Sequence, residues 1–190
     1  MKKLLVVLLL FFQLFFAFSQ KPRSIYVKAN AVFLPIAIVN AGLEYQLSAK
    51  YTLQADFFCS PWKSFAGKHA QIYAGHLEGR YYFKEAFQKW YVGINAGTGV
   101  FDITKWNYFH SQKYQRGFNM MFGATVGYQY CWKERWNIDF FVGAGTVQSF
   151  YHGYEYIPPS LFRYDGAEKW NKSGEFLPYR GGIMIAYKLQ

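Results

Sequence analysis

Three side chains that could do chemistry together stand at alternate positions of one short stretch: His76, Glu78 and Arg80, in "GHLEGRYYF". In an extended chain alternate residues share a face, so Glu78 could orient the imidazole of His76 as an acid–base pair. No serine accompanies His76 on that run to act as a nucleophile. Charges of both signs along one strand face also suit an ion-paired network, and that reading carries more weight than catalysis. The expectation is therefore no enzyme. His69, His110 and His152 fall in or beside three separate loops without the spacing of metal ligands, so neither a metal nor a cofactor is expected. Cys59 and Cys131 would lie at opposite ends of two strands. A disulfide needs Cα atoms within ~7 Å, so they should stay apart.

The elements that would hold the triplet follow from the same period of two. Eight segments alternate: about 25–34, 39–47, 51–60, 71–83, 90–101, 117–131, 136–150 and 178–189. Most exceed the ~9 to 11 residues with which a tilted strand crosses a bilayer. One parity is apolar, for example Leu43, Tyr45 and Leu47, then Trp90, Val92, Ile94 and Ala96. Its aromatics gather towards the strand ends, Tyr51, Tyr81, Trp90, Tyr130 and Trp136 at one end and Tyr73, Phe118, Phe150 and Tyr179 at the other.

The opposite parity collects a candidate lumen charge network: Lys28, Glu44, Asp56, His76, Glu78, Arg80, Asp139, Arg180 and Lys188. Four basic and four acidic residues nearly cancel, and bulky neighbours such as Tyr82, Tyr91 and Met184 point the same way. Eight strands enclose only enough room for side chains, so the interior should be a salt-bridged plug. A narrow porin-like channel is the alternative that its polarity keeps open. A soluble lipocalin-like barrel would require the two faces to be exchanged.

Short connectors (48–50, 84–89, 132–135) alternate with longer ones (61–70, 102–116, 151–177), apart from the short 35–38. That asymmetry predicts an all-β, eight-stranded, antiparallel, up-and-down transmembrane β-barrel. Lys2 and Lys3 precede an apolar run from Leu4 to Phe18, with Ala17 and Ser19 beside a cleavage site. This reads as a signal peptide over 1–20, cleaved before a barrel domain over 21–190. The run is short of the ~20 residues of a spanning helix, and no comparable apolar run follows it. Removing Lys2 and Lys3 from the 21 basic residues leaves eight more than the 11 acidic ones. The location expected is the cell outer membrane, with both termini periplasmic. Basic charge and aromatic rings also describe nucleic-acid binding, but a leader and lipid-facing strands argue against that partner.

The long loops carry the remaining candidates for contact with a partner or lipid. These are Trp62, Lys63 and Lys68 in the second, Lys105, Trp106 and Lys113 in the third, and Tyr154, Tyr156 and Trp170 in the fourth. Cations beside rings could hold anionic lipopolysaccharide or a surface protein. The fourth, 151–177, is the longest stretch expected to be irregular, and loops of that length are uncommon without a function or disorder.

Several stretches, "NAGLEYQLS" from Asn40, "LEGRYYF" from Leu77, "YQRGFNMMFGATVGYQY" from Tyr114 and "WNKSGEFLPYRGGIMIAYKL" from Trp170, resemble a Bacteroidota family of small outer-membrane β-barrels of unknown function. The resemblance implies a barrel of the OmpA and OmpX architecture, supplies no catalytic residues, and points to surface assembly with a fimbrial partner. The spacing Arg180, Gly182, Ile185, Tyr187 resembles the terminal signal of outer-membrane barrels. Gly182, Ile185 and Tyr187 would then be read by the barrel assembly machinery during insertion.

Overall fold

The computed structural model describes residues 23–190; the leader expected over 1–20 lies outside them. Nine strands form the fold: β1 (Ile25–Asn30), β2 (Val39–Gln46), β3 (Tyr51–Phe65), β4 (Lys68–Tyr82), β5 (Lys89–Ile103), β6 (Lys113–Lys133), β7 (Trp136–Ile157), β8 (Ser160–Arg163) and β9 (Asn171–Lys188). Every pairing between them is antiparallel. From β1 to β8 each strand pairs with the next in sequence, and β9 pairs with β1 on one side and β7 on the other. The ring is thereby closed along β1, from Tyr26 opposite Lys188 to Asn30 opposite Met184, which removes the sheet edges at that level. The only helices among the described residues are two short 3₁₀ turns, Leu34–Ile36 and Trp106–Tyr108.

Tight turns close the hairpins at both ends. Ala66 and Gly67 adopt φ of 51° and 76° between the paired Phe65 and Lys68, the two positive values that a hairpin turn matched to strand twist requires. At the other end, Glu134 and Arg135 join the paired Lys133 and Trp136.

Two segments expected to be loops, 61–70 and 151–177, are largely sheet, and a third, 102–116, is sheet only at its two ends. β3 and β4 run on to Phe65 and Lys68, and β6 begins at Lys113. β7 continues to Ile157, β8 folds back on it, and β9 starts at Asn171, so only 164–170 of the expected irregular stretch 151–177 lacks regular structure beyond the hairpin tip. The physical reason is that the ladder outlasts the pattern. Above the level where one face is apolar, both faces meet polar surroundings and the alternation disappears, yet the backbone groups still pair.

Burial is reversed with respect to a soluble domain. The fully buried large side chains include Arg80, Lys28, Glu44, Glu78, Gln54 and Asp139, while Ile94 is 77% exposed and Phe122 60%. The apolar parity faces out and the charged parity faces in, along every long strand that carries both. Tilted or edge-to-face ring pairs mark the short-turn end of the outer wall, Tyr51 with Tyr81, Trp90 with Tyr128 and Trp136 with Tyr187.

A β-bulge interrupts β9: Gly143 pairs with Arg180 but Ala144 pairs with Pro178, leaving Tyr179 as the extra residue. A bulge places two consecutive side chains on one side. Tyr179, expected on the outer face, therefore turns inward with Arg180, and its hydroxyl hydrogen-bonds Asn95.

Candidate functional site

The interior is organised around Arg80. Its Nη1 lies 2.8 Å from Asp139 on β7 and 3.1 Å from Glu44 on β2, and its Nη2 lies 3.1 Å from Glu78 on its own strand. Lys28 on β1 approaches the same Asp139 at 2.7 Å and also pairs with Glu44. Arg180 on β9 reaches Glu78 at 3.1 Å and Asp56 on β3 at 2.8 Å. Strands that are not neighbours in the ring are thus tied through its centre. The rigid fork of a guanidinium, with several donors in one plane, suits a residue that must serve three carboxylates at once.

Tyrosines complete the shell. The Tyr91 hydroxyl donates to Asp139 at 2.8 Å while its ring lies 4.4 Å beneath the Arg80 guanidinium. The Tyr82 hydroxyl stands 2.8 Å from Glu44 and 2.7 Å from Gln129. Gly93, opposite Arg80 in the ladder, makes room, because a Cβ there would run into the Glu78 carboxylate.

The sequence candidates separate at this point. Lys28, Glu44, Asp56, Glu78, Arg80, Asp139 and Arg180 converge in one network. Lys188 stands apart at the short-turn end, partly exposed and without an ion pair among the described residues. Glu78 does not orient His76. It is held by Arg80 and Arg180, and the imidazole instead faces Asp56 at 3.5 Å, stacked near the ring of Tyr179. Cys59 and Cys131 are both free thiols. Among the described residues no cluster of three or more His, Cys, Asp or Glu could hold a metal.

Below the network the barrel has a floor. The β4–β5 connector turns its apolar pair inward, leaving Ala86 8% and Phe87 4% exposed. The Phe87 ring packs 4.3 Å from that of Tyr26 and 6.1 Å from that of Tyr82, and its carbonyl accepts a hydrogen bond from Asn137. Sequence reasoning missed this residue. The signal was available as two apolar residues inside the otherwise polar "KEAFQK".

At the opposite mouth the third loop crosses the opening. Lys105, which follows β5, pairs at 2.9 Å with Glu175 on β9, and Lys68 on β4 donates to the carbonyl of Ser111. The fourth connection is pinned at Asp165, which accepts from the Gly153 amide at 2.7 Å and from Arg163 at 2.8 and 3.0 Å. Burial alone would raise this carboxyl. The hydrogen bonds from Arg163, Gly153 and His152 outweigh it and hold Asp165 well below the usual carboxylate range. Trp170 stacks on His152 with ring centres 4.4 Å apart, and its edge meets Phe118.

Other loop candidates remain free. Trp106 is 86% exposed, and Tyr156 and Lys63 are also exposed. Trp62 is tied by its indole N–H to the carbonyl of Ile36, Lys113 lies 3.8 Å from Glu155, and Tyr154 stacks on Tyr114.

Comparison with known proteins gives one match: a family model described as "Protein of unknown function (DUF3575)" covers residues 5–189. No curated protein and no solved structure matches the chain.

Proposed function

We propose, on the premise that this chain belongs to the DUF3575 family of proteins of unknown function, that it is an outer-membrane β-barrel that works through its surface loops and not through a pore or a reaction centre. The observation that carries this reading is the inverted burial, with ion pairs inside and an apolar belt outside. A contiguous exposed apolar surface of that extent calls for a partner phase, and closure of the ring between β1 and β9 suits strands that would face hydrocarbon.

The dimensions support the same reading. Between Trp90 and Val100, exposed at the two ends of the belt on β5, about ten residues rising ~3.3 Å each at a tilt of roughly 40° span about 25 Å, the height of the apolar band of such barrels. Aromatic residues at both levels suit the headgroup regions. Both ends of the described chain lie at the short-turn end, which would place them in the periplasm. The leader over 1–20, recognition of Gly182, Ile185 and Tyr187 by assembly machinery, and kinship with the OmpA type of Bacteroidota barrels belong to this proposal.

Above the membrane the exposed Trp106, Phe109, Tyr156, Leu161 and Phe162, and the exposed Lys63, offer surface for lipopolysaccharide or a surface protein such as a fimbrial subunit. The network across the lumen and the Phe87 floor argue against a porin-like channel. The test is planar-bilayer recording of the protein, with electrophoresis of boiled and unboiled samples to establish the barrel. A folded barrel that passes no current is expected, whereas reproducible conductance steps would overturn the filled-lumen reading. A folded protein that partitions into buffer, not detergent, would overturn the membrane reading.

A further inference from the structure

Between the charge network and the loop end lies a cavity of about 450 Å³. Its floor is charged and its walls are largely apolar, with Phe58, Met121 and Phe141 among the lining residues. We infer that this cavity binds a small organic cation, a protonated amine carrying an apolar ring or chain. The inference concerns the interior wall and stands apart from the role proposed for the surface loops.

Charge comes first. The buried network sets Lys28, Arg80 and Arg180 against Glu44, Asp56, Glu78 and Asp139, three cations to four carboxylates. A surplus negative charge shielded from water attracts a cation strongly and repels an anion. With the His76 imidazole 3.5 Å from Asp56 uncharged, the surplus is felt at the cavity, because Asp56 is one of its lining residues and is paired with a single arginine. The lining cation, Arg180, is already committed to Asp56 and Glu78.

Unused acceptors come second. The His76 side chain is only 6% exposed and lines the cavity; its Nδ1 lies 3.5 Å from Asp56, and its Nε2 has no hydrogen-bond partner. A neutral imidazole always offers one nitrogen as an acceptor. The Asn119 Oδ1 atom is likewise buried, unpartnered and in the lining residue set. Buried polar groups are ordinarily satisfied, so acceptors of this kind beside a surplus carboxylate describe the complement of an ammonium group. Rings in the wall, Phe58, Phe141 and Tyr179, favour a cation through their negative faces as well as an apolar tail. The volume falls within the range of small-molecule sites.

The test is titration calorimetry of the protein in a nonionic maltoside detergent, since zwitterionic detergents carry competing ammonium groups. The probes are phenethylammonium and its charge-reversed counterpart, 3-phenylpropionate. The amine should saturate with a Kd below ~1 mM, and the carboxylate should bind at least about tenfold more weakly. Asp56→Asn should weaken the amine about tenfold or more. Ala74→Phe, which fills the cavity without altering its charge, should abolish binding. If Asp56→Asn fails to give the folded electrophoretic form, Asn119→Leu takes its place as the test of the acceptors. Saturable binding of the carboxylate as tight as the amine would overturn the inference, as would no saturable binding of the amine, the result if His76 itself carries the balancing charge. Binding that survives Ala74→Phe would place the probe elsewhere and also overturn it.

Discussion

Replacing Arg80 by alanine removes the one cation that faces three carboxylates, at 2.8, 3.1 and 3.1 Å, in a fully buried setting. Lys28 would still serve Asp139 and Glu44, and Arg180 would still serve Glu78 and Asp56. Two cations would then face four carboxylates. Breaking a buried pair by removing one partner costs about 3 to 5 kcal/mol, and each ~1.4 kcal/mol is a tenfold change. The unfolding equilibrium of Arg80→Ala should therefore shift by roughly two to four powers of ten, read as a lower urea midpoint for loss of the folded electrophoretic form. Arg80→Lys should fall between, because an ammonium on a flexible stem cannot hold three partners in one plane. Lys188→Ala is the control: it deletes the same formal charge from a partly exposed residue without an ion pair among those described, and should stay within about 0.5 kcal/mol. Equal shifts for Arg80→Ala and Lys188→Ala would refute the reasoning, since net charge and not the local network would then govern stability.

Other outcomes follow from the loops and the terminal strand. Asp165 has a depressed folded pKa, so its contribution to loop order is present above the unfolded value of about 3.9 and is lost as pH falls through the lower folded value. Protease resistance of 164–170 and the Trp170 fluorescence should hold at pH 4 and collapse only in stronger acid, while Asp165→Asn should lose resistance at neutral pH; a native-protein transition centred above pH 4 would contradict this. Gly182 has φ of +145°, and a Cβ there would press into the Asn30 amide, which bonds the Gly181 carbonyl and the Ile183 amide. Gly182→Ala should destabilise the β1–β9 seam by about 1 to 3 kcal/mol, and an unchanged urea midpoint would refute the account. Lys105→Glu exchanges the cross-mouth pair with Glu175 for repulsion. Partly exposed pairs are worth less than about 1 kcal/mol, so global stability should barely move while proteolysis within 104–112 accelerates. Unchanged proteolysis would mean that the pair does not hold the third loop.

What could be read from the chain beforehand follows from the range of the forces involved. The alternation along "YVGINAGTGV" or "WNIDFFVGAG" is a local property, and it was enough to place Ile94 outside and Asp139 inside. The turn at Ala66–Gly67 was hidden within the connector expected over 61–70, because alanine does not announce the positive φ of 51° that it adopts there. The triplet His76, Glu78 and Arg80 was correctly put on one face, but partners were assigned along the strand. The actual partners come from across the ring, Asp56 for His76 and Asp139 for Arg80.

The sequence alone determined the number of long strands, the division of their residues into two faces apart from Tyr179, and the set of charges that share the interior apart from Lys188. Each of these depends on a period of two that any local segment carries. Tertiary structure decided the rest: which carboxylate meets which cation, the inward turn of Tyr179 at the bulge, the seal at Phe87 and the crossing of the mouth by Lys105. Those contacts join residues on strands far apart in sequence. Their geometry is set by closure of the ring and its stagger, quantities that no single stretch of chain contains.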